Sequence, residues 1–176
     1  MTSFMIKAHE NRQLPEAWRQ DPRCPFCRIV HGESPAFKVY ENEKVVAFLD
    51  ILPLRPGHTL VIPKIHISRV SELPPEYAAA VGEAISKVSN ALTYAMENTG
   101  LNVVCNQEYA QAVSHVHYHI IPAPKFTDAN PADDFKGDHV TLALTQKEMH
   151  QKEFESRQEL DEEDAQLILQ RIHAHL

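Results

Sequence analysis

The sequence lacks any long apolar run. No stretch among its 176 residues approaches the roughly 20 apolar residues that a membrane-spanning helix needs. The segment from Met1 to Arg12 has no apolar centre of the kind found in secretory signal peptides, so we expect neither export nor membrane insertion. Hydrophobic residues make up 43% and charged residues 23%, the usual proportions of globular proteins. This composition excludes a disordered chain, a collagen-like fibre and a coiled-coil rod.

Cysteine is also scarce. The chain has three cysteines, which is too few and the wrong parity for a disulfide framework. With no export signal we expect a cytoplasmic location, with the nucleus as a second compartment. In a reducing compartment, paired cysteines more often bind metal or do redox work.

Positive charge is in deficit. Lys and Arg number 17 against 24 Asp and Glu, for a net charge of -7. Such a balance argues against general nucleic-acid binding, which calls for a basic surface. A single phosphate can still be bound by local donors. Much of the negative charge falls in residues 146–176, with four basic and eight acidic side chains.

The residue pattern predicts one α+β domain between two extensions. We divide the chain into an N-terminal arm (1–20), a domain (21–145) and an acidic helical tail (146–176). Alternating apolar runs separated by turn residues predict five short strands, and apolar residues at helical spacing predict one long helix. In order, the predicted elements are a helical turn at 25–30, strands at 37–40, 45–49 and 58–63, the helix from 75 to 96, and strands at 101–107 and 113–122. Short links between strands imply a mostly antiparallel sheet with the helix on one face. Gly100 is expected to end the helix in a left-handed conformation.

The tail has its own helix signal. Asp161 can cap a helix whose narrow apolar stripe is formed by Ala165, Ile168, Leu169 and Ile172. We expect the stripe to pack and the acidic side to stay in solvent. Because its acids repel phosphate, the tail is not expected to cover a phosphate site unless His173 and His175 face that site.

Three histidines alternate with apolar residues at His115, His117 and His119. On a strand, alternate side chains share a face, so the imidazoles would be about 6.7 Å apart on one side. One such ring can attack phosphorus and form a covalent intermediate, while its neighbours orient it and bond the phosphate oxygens. Solvent-facing histidines or a bare metal site are the alternatives.

This pattern resembles the signature of the histidine-triad (HIT) family of nucleotide hydrolases and transferases. Further similar segments are Ala47–Ile51, Gly57–Lys64 and Gly100–Val104, and the resemblance covers roughly residues 24–124. It implies a five-stranded antiparallel sheet with one long helix, and a homodimer in which that helix and the fourth strand meet their mates.

The resemblance also implies catalytic roles. His117 is similar to the nucleophile that takes the nucleotidyl group, and His119 to the residue that bonds the phosphate oxygens. His115 is similar to an orienting residue or metal ligand. His58 corresponds to a fourth histidine near the nucleophile, although by itself it is only a polar residue that begins a strand.

Binding residues follow from the same resemblance. Asp50, otherwise a simple turn acid, resembles the carboxylate that accepts hydrogen bonds from both ribose hydroxyls. Asn106 and Gln111 resemble groups on the phosphate and ribose side. An apolar slot for the base, which without the family would be plain core, would be formed by Phe26, Ile29, Phe48, Leu49 and Ile51.

Cys24 and Cys27 have the spacing of half a zinc site, which is a weak signal without a second pair. Two buried cysteines are the alternative, and a redox pair would need a preceding strand that the sequence does not show. Zinc-bearing HIT relatives complete the site with two histidines, which here are His66 and His115. Two thiolates and two imidazoles suit a structural zinc ion.

The function implied is cleavage at the α-phosphorus of a purine nucleotide conjugate, first of all a nucleoside phosphoramidate, as in the HINT-like branch. A dinucleoside polyphosphate hydrolase and a non-catalytic nucleotide-binding dimer are the alternatives. His119 argues against the nucleotidyltransferase branch, which has glutamine there. Ala112 is a departure, because relatives often have a hydroxyl residue at that position.

Overall fold

The computed structural model describes residues 21–123, 154–155 and 157–176. The predicted arm (1–20), residues 124–153 and Ser156 lie outside this part of the chain. Three α-helices and five strands are described. They are α1 (Pro25–Val30), β1 (Lys38–Glu41), β2 (Val45–Leu49), β3 (Thr59–Pro63), α2 (Pro75–Ala95), β4 (Leu101–Cys105), β5 (Tyr118–Pro122) and α3 (Glu162–His173), with a 3-10 turn at Val70–Glu72.

The strands form one antiparallel sheet in the order β1-β2-β3-β5-β4. This confirms the predicted α+β architecture. All five residues of β2 are buried, because the sheet is covered on both faces. Val45, Ala47 and Leu49 join the core beneath α2, whereas Val46 and Phe48 belong to a second cluster on the opposite face. Most of the candidate site residues lie on that second face.

Helix α2 buries one side against the sheet. Its buried residues recur at helical spacing and are Val81, Ala84, Val88, Ala91, Leu92 and Ala95. The predicted left-handed end at Gly100 is wrong, because Glu97 takes the positive φ of 51°. Gly100 is needed for a different reason. A Cβ at this position would lie 2.8 Å from the Cβ of Ala123, closer than two carbon atoms can pack.

The tail helix α3 packs on the domain as expected. The Asp161 carboxylate accepts hydrogen bonds from the backbone N–H groups of Glu163 and Asp164. The four residues of the predicted stripe are buried in the main core. His173 donates from Nε2 to the Val39 carbonyl at 3.0 Å, and His175 stacks on Tyr94 with ring centroids 5.1 Å apart. Neither histidine has a contact with the triad.

Strands β4 and β5 are shorter than predicted. Their pairing ends at Cys105 and Tyr118, so residues 106–117 form a loop. The backbone of this loop bonds to the segment after β3 instead, as shown by the Val116 N–H and the Ile67 carbonyl at 2.6 Å. His115 and His117 therefore precede β5, and only His119 lies on it. In the part of the chain that the structure describes, no helix is both long and apolar enough to cross a bilayer.

Candidate active site and metal centre

The triad histidines remain adjacent although two of them lie outside the strand. His115 and His117 are buried, and His119 is partly exposed. The rings of His117 and His119 have centroids 4.9 Å apart, and the ring of Phe26 packs edge-on against both His115 and His117. The predicted row of three rings is present only in part, because His117 and His119 are in ring contact, whereas the ring of His115 packs edge-on against that of His66, with centroids 5.2 Å apart.

The tautomer of His117 is fixed by a backbone carbonyl. Its Nδ1–H donates to the His115 carbonyl oxygen at 2.6 Å. The ring hydrogen is thus on Nδ1, which leaves the lone pair on Nε2 free. This is the nitrogen that a nucleophilic histidine must present.

His58 and His119 form a second hydrogen-bonded pair. The Leu54 N–H donates to Nδ1 of His58 at 3.1 Å, so the His58 ring hydrogen is on Nε2. That nitrogen lies 2.9 Å from Nδ1 of His119 and donates to it. His119 consequently carries its own hydrogen on Nε2, where it can be donated to an oxygen of a bound phosphate.

Burial keeps the His58 ring neutral. It lowers the pKa of His58 to about 4, against an opposing effect of the Asp50 carboxylate. The 3.5 Å contact between Asp50 Oδ2 and His58 Nδ1 is therefore not an ion pair at neutral pH. Burial also lowers the pKa of His119, so both rings act as neutral hydrogen-bonding groups.

Asp50 directly follows β2 and lies beside His58. Its Oδ1 accepts a hydrogen bond from the Leu52 N–H at 2.9 Å, which fixes the carboxylate, and the side chain is 16% exposed. Ile51 follows it and is 63% exposed. A carboxylate held in this way keeps lone pairs available for hydroxyl donors.

The predicted apolar slot is assembled only in part. Phe26 and Phe48 pack with ring centroids 5.6 Å apart, and Ile29 packs against their cluster. Leu49 is not part of this slot, because it is buried in the main core on the other face of the sheet. Strand alternation explains this, since Phe48 and Leu49 are neighbours and point in opposite directions.

The two predicted amides lie in the loop before the triad. Gln111 uses its side chain within the protein, donating from Nε2 to the Ser68 carbonyl at 2.8 Å and accepting from the Glu108 N–H at 2.8 Å. It thereby connects the loop to the segment after β3. Asn106 is half-buried directly after β4.

The four predicted metal ligands converge. Sγ of Cys24 lies 3.6 Å from Nδ1 of His115, and Sγ of Cys27 lies 3.4 Å from Nδ1 of His66 and 3.7 Å from Nδ1 of His115. A tetrahedral zinc ion, with bonds of about 2.3 Å to sulfur and about 2.0 Å to nitrogen, has sulfur–nitrogen edges of about 3.5 Å. All four ligand atoms lie within 4.8 Å of one another, so the site fits zinc.

The surroundings support metal binding as well. Nε2 of His115 donates to the Pro63 carbonyl at 2.8 Å, which turns the lone pair of Nδ1 towards the thiols. Burial raises the pKa of the Cys27 thiol to about 12. A buried thiol of this kind loses its proton readily only to a bound cation.

Comparison with known families identifies the fold and its site. The model of the HIT domain matches residues 31–126. The chain belongs to the HIT domain family. Its five-stranded antiparallel sheet is thus that of a HIT domain, as the sequence predicts.

Several relatives are similar to this HIT chain over about 100 residues. The protein hit of Bacillus subtilis is 46% identical over 56% of this chain and 70% of its own length. An Arabidopsis thaliana protein named adenylylsulfatase HINT3 is 41% identical, but the match spans only 51% of that protein. A Candida albicans protein named adenosine 5'-monophosphoramidase HNT1 is 38% identical over 69% of its length.

Solved HIT structures extend the similarity beyond the domain. A HIT-like protein of Bartonella henselae superposes with a TM-score of 0.68 at 27% identity, covering 89% of this chain and 98% of the other. A zinc-bound HIT protein of Mycobacterium smegmatis has a TM-score of 0.62 at 29% identity, covering 86% and 94%.

Sequence reasoning missed the backbone groups that orient the rings. The Leu54 N–H and the carbonyls of Pro63 and His115 decide which nitrogen of each imidazole carries hydrogen. Every non-proline residue has an N–H and every residue a carbonyl, so no residue type reveals these partners.

Proposed function

We propose that this chain is a HIT hydrolase that cleaves the α-phosphorus bond of nucleotide conjugates through a covalent nucleotidyl-His117, with nucleoside phosphoramidates as its first substrate class. The observation that carries the proposal is the bond from Nδ1–H of His117 to the His115 carbonyl. It presents a nucleophilic Nε2 beside the Nε2–H of His119. The phosphoramidase name of a relative supports the substrate class.

The chemistry then takes two steps. Nε2 of His117 bonds to the α-phosphorus as the phosphorus–nitrogen bond of the substrate breaks, and the amine takes up its proton from solvent while the Nε2–H of His119 bonds a phosphate oxygen. Water next attacks the nucleotidyl-histidine, releases the nucleoside monophosphate and returns a proton to solvent. His119 keeps its hydrogen on Nε2 in both steps, because His58 donates to its Nδ1. The net reaction is phosphoramidate plus water to monophosphate plus amine.

Two features of the pocket support a nucleoside. Asp50 offers a fixed carboxylate for the ribose hydroxyls. The side chain of Ile51, which is 63% exposed and directly follows Asp50, provides apolar surface for a purine base. A carboxylate next to apolar surface suits a group with a diol at one end and a flat ring at the other.

We also propose that zinc occupies the site of Cys24, Cys27, His66 and His115. The similar HIT protein of Mycobacterium smegmatis is zinc-bound, which supports this assignment. When bound, zinc would cross-link the segments that carry these four residues. The chain's own part is to hold His115 by two bonds, through Nδ1 to the metal and through Nε2 to Pro63. Its carbonyl is thereby kept in place for His117.

We further propose that two copies of the chain form a homodimer, and that it is located in the cytoplasm and also in the nucleus. Strand β4 ends the sheet, and Val103 and Val104 are 47% and 40% exposed. An exposed apolar edge strand favours pairing with a second copy.

The deciding experiment mixes the purified full chain with adenosine phosphoramidate and measures the release of AMP. His117→Ala should lose turnover by at least about a thousandfold and still bind AMP, because no other group can form the covalent bond. His31→Ala, at an exposed histidine after α1, is the matched control and should retain the wild-type rate. Quenching in alkaline denaturant, in which a phosphorus–nitrogen bond survives, should trap nucleotide on the wild-type chain and not on His117→Ala.

Each other outcome is informative. Near-normal turnover by His117→Ala would contradict the covalent mechanism. Faster cleavage of diadenosine polyphosphates than of the phosphoramidate would favour the polyphosphate hydrolase. AMP binding by a wild type without turnover of either would favour a non-catalytic binding protein.

A further inference from the structure

The backbone before α3 bonds the loop that follows β2. The Leu160 N–H donates to the Ile51 carbonyl at 2.9 Å, and Ile51 directly follows Asp50. Leu160 belongs to the tail, beyond the residues 31–126 that match the HIT domain. The bond therefore connects a segment outside the family model to the loop beside the candidate ribose ligand.

The tail is anchored well enough to hold this bond. The Leu160 side chain packs against the main core, and Asp161 caps α3 directly after it. The apolar stripe of α3 is buried in the same core. Near the other end of the helix, Nε2 of His173 bonds the Val39 carbonyl at 3.0 Å. The Leu160 N–H is thus a fixed donor at the start of a packed helix.

One peptide group links the Leu160 bond to Asp50. The Ile51 carbonyl and the Leu52 N–H belong to the same planar group. The tail bonds the oxygen of this group, and its N–H donates to Oδ1 of Asp50 at 2.9 Å. Because the group is rigid, the direction of its carbonyl also sets the direction of its N–H. Hydrogen bonds in such a chain also polarise and strengthen one another.

The direction of the Asp50 carboxylate depends on this N–H. Among the described residues, the Leu52 N–H is the donor that the carboxylate has. Oδ2 lies 3.5 Å from Nδ1 of His58, but that nitrogen carries no hydrogen, because it accepts from the Leu54 N–H. The neighbouring ring therefore does not replace the peptide as a donor.

From this geometry we propose that Leu160 is a positioning residue for the ribose, so that the tail raises the affinity of the site for nucleotides with free 2' and 3' hydroxyls. The inference rests on the proposed function, in which Asp50 binds those hydroxyls, and it assigns the tail a part in that binding. A carboxylate held in one direction loses little freedom when a diol binds, whereas a rotating carboxylate must first be ordered by the ligand. Leu160 acts through Asp50, and its N–H is the group that matters.

The test removes this donor from the full chain. By titration calorimetry, the wild type should bind AMP at least about 10-fold more tightly than 2',3'-dideoxy-AMP. Leu160→Pro has no N–H, and its ratio of the two dissociation constants should be about 3- to 10-fold smaller, the effect of one hydrogen bond. Leu160→Ala keeps the N–H and should keep the wild-type ratio. Each ratio is measured on one preparation, so an unfolded fraction does not change it.

Glu159→Pro is the matched control. Glu159 is exposed, and among the described residues its N–H donates no hydrogen bond, so this variant should also keep the wild-type ratio. An unchanged ratio in Leu160→Pro would overturn this inference alone. A wild type that binds both nucleotides equally would reject the ribose role of Asp50, and this inference with it. Neither result requires turnover, so a failure of the proposed hydrolase activity would be observed separately.

The wild type offers a second measurement that needs no variant. Coupling between two sites is reciprocal, so binding of the hydroxyls at Asp50 must stabilise the Leu160 bond by the same factor. Hydrogen exchange is measured with each nucleotide at the same multiple of its dissociation constant, which makes the general stabilisation by ligand equal. The Leu160 amide should then exchange about 3- to 10-fold more slowly with AMP than with 2',3'-dideoxy-AMP. Equal exchange rates would contradict the proposed coupling.

Discussion

The ring hydrogens of the histidines are set one residue at a time by backbone partners. His58 accepts from Leu54, His117 donates to His115, and His115 donates to Pro63. Each bond leaves a single nitrogen for chemistry or for a metal. Replacing one of these histidines by asparagine, whose amide carries a different number of hydrogens, should preserve the packing of the side chain. It should remove the control over which nitrogen carries the hydrogen.

The pKa of His58 predicts how stability depends on pH. The folded-state pKa of about 4 lies below the usual value of about 6.5. Between these two values the unfolded chain binds the extra proton, so stability is complete above about pH 6.5 and is lost as the pH falls towards about 4. From pH 7 to pH 5, the unfolding free energy of the wild type should fall by about 2 kcal/mol more than that of His58→Asn.

Urea unfolding of both proteins at the two pH values provides the measurement. His31→Asn is the control, since His31 is exposed, and it should follow the wild type. Release of metal by acid affects all three proteins alike and so cancels in the comparison. Parallel pH curves for wild type and His58→Asn would show that His58 is charged in the folded protein.

For single residues, the sequence predicts which residues form the site better than it predicts the directions in which their side chains point. The residue types and spacing of the triad, Asp50 and the four metal ligands indicated the groups that the structure brings together. Leu49 could not be separated from Phe48 in the same way, because both are apolar and the family pattern runs through both. Only the pairing of β2 decides which of them faces the pocket.

Among the elements, the loop between β4 and β5 differs most from the prediction. Apolar alternation from Val113 to Pro122 predicts a long strand, but the first half of this run finds its backbone partners in the segment after β3. Alternation reports which side chains face a core, and it does not report which strand supplies the hydrogen bonds. The same reasoning explains why α2, with its long periodic stripe, is predicted almost to its ends.

The metal site cross-links three segments and gives the element-scale prediction. Cys24 and Cys27 belong to α1 and its start, His66 follows β3, and His115 precedes β5. Cys24→Ser should lose bound zinc and lower the melting temperature by more than about 10 °C, because a structural zinc ion contributes directly to folding. Elemental analysis of protein purified without chelator should find about one zinc ion per wild-type chain.

Cys105→Ser is the control for this variant. Cys105 is partly buried beside Val116 and Tyr118, outside the metal cluster, so its substitution should leave the zinc content unchanged. Wild-type protein without metal, or a Cys24→Ser variant with an unchanged melting temperature, would rule out structural zinc.

At the scale of the whole molecule, the two ends of the sheet differ in what covers them. Helix α3 lies against β1 and shields that end of the sheet. At the other end, β4 has no neighbour among the described residues beyond β5. Exposed apolar side chains mark this end, with Val103 and Val104 on the strand. An asymmetric sheet of this kind offers a single open edge, which a twofold axis closes when two copies meet.

A charge on that edge should therefore break the proposed dimer. In Val103→Glu, two copies would place like charges close together across the twofold axis, and each carboxylate would have to leave water to let the edges pair. Sedimentation velocity should find a dimer for the wild type and a monomer for the variant at micromolar concentration. Leu167→Glu introduces the same charge at a residue of α3 that is 57% exposed, and this control should stay dimeric.

Because β4 leads into the loop that carries Gln111 and the first two triad histidines, the monomer should also cleave more slowly than the control. A Val103→Glu protein that sediments as a dimer would place the subunit contact on another face, and a monomeric wild type would remove the contact altogether.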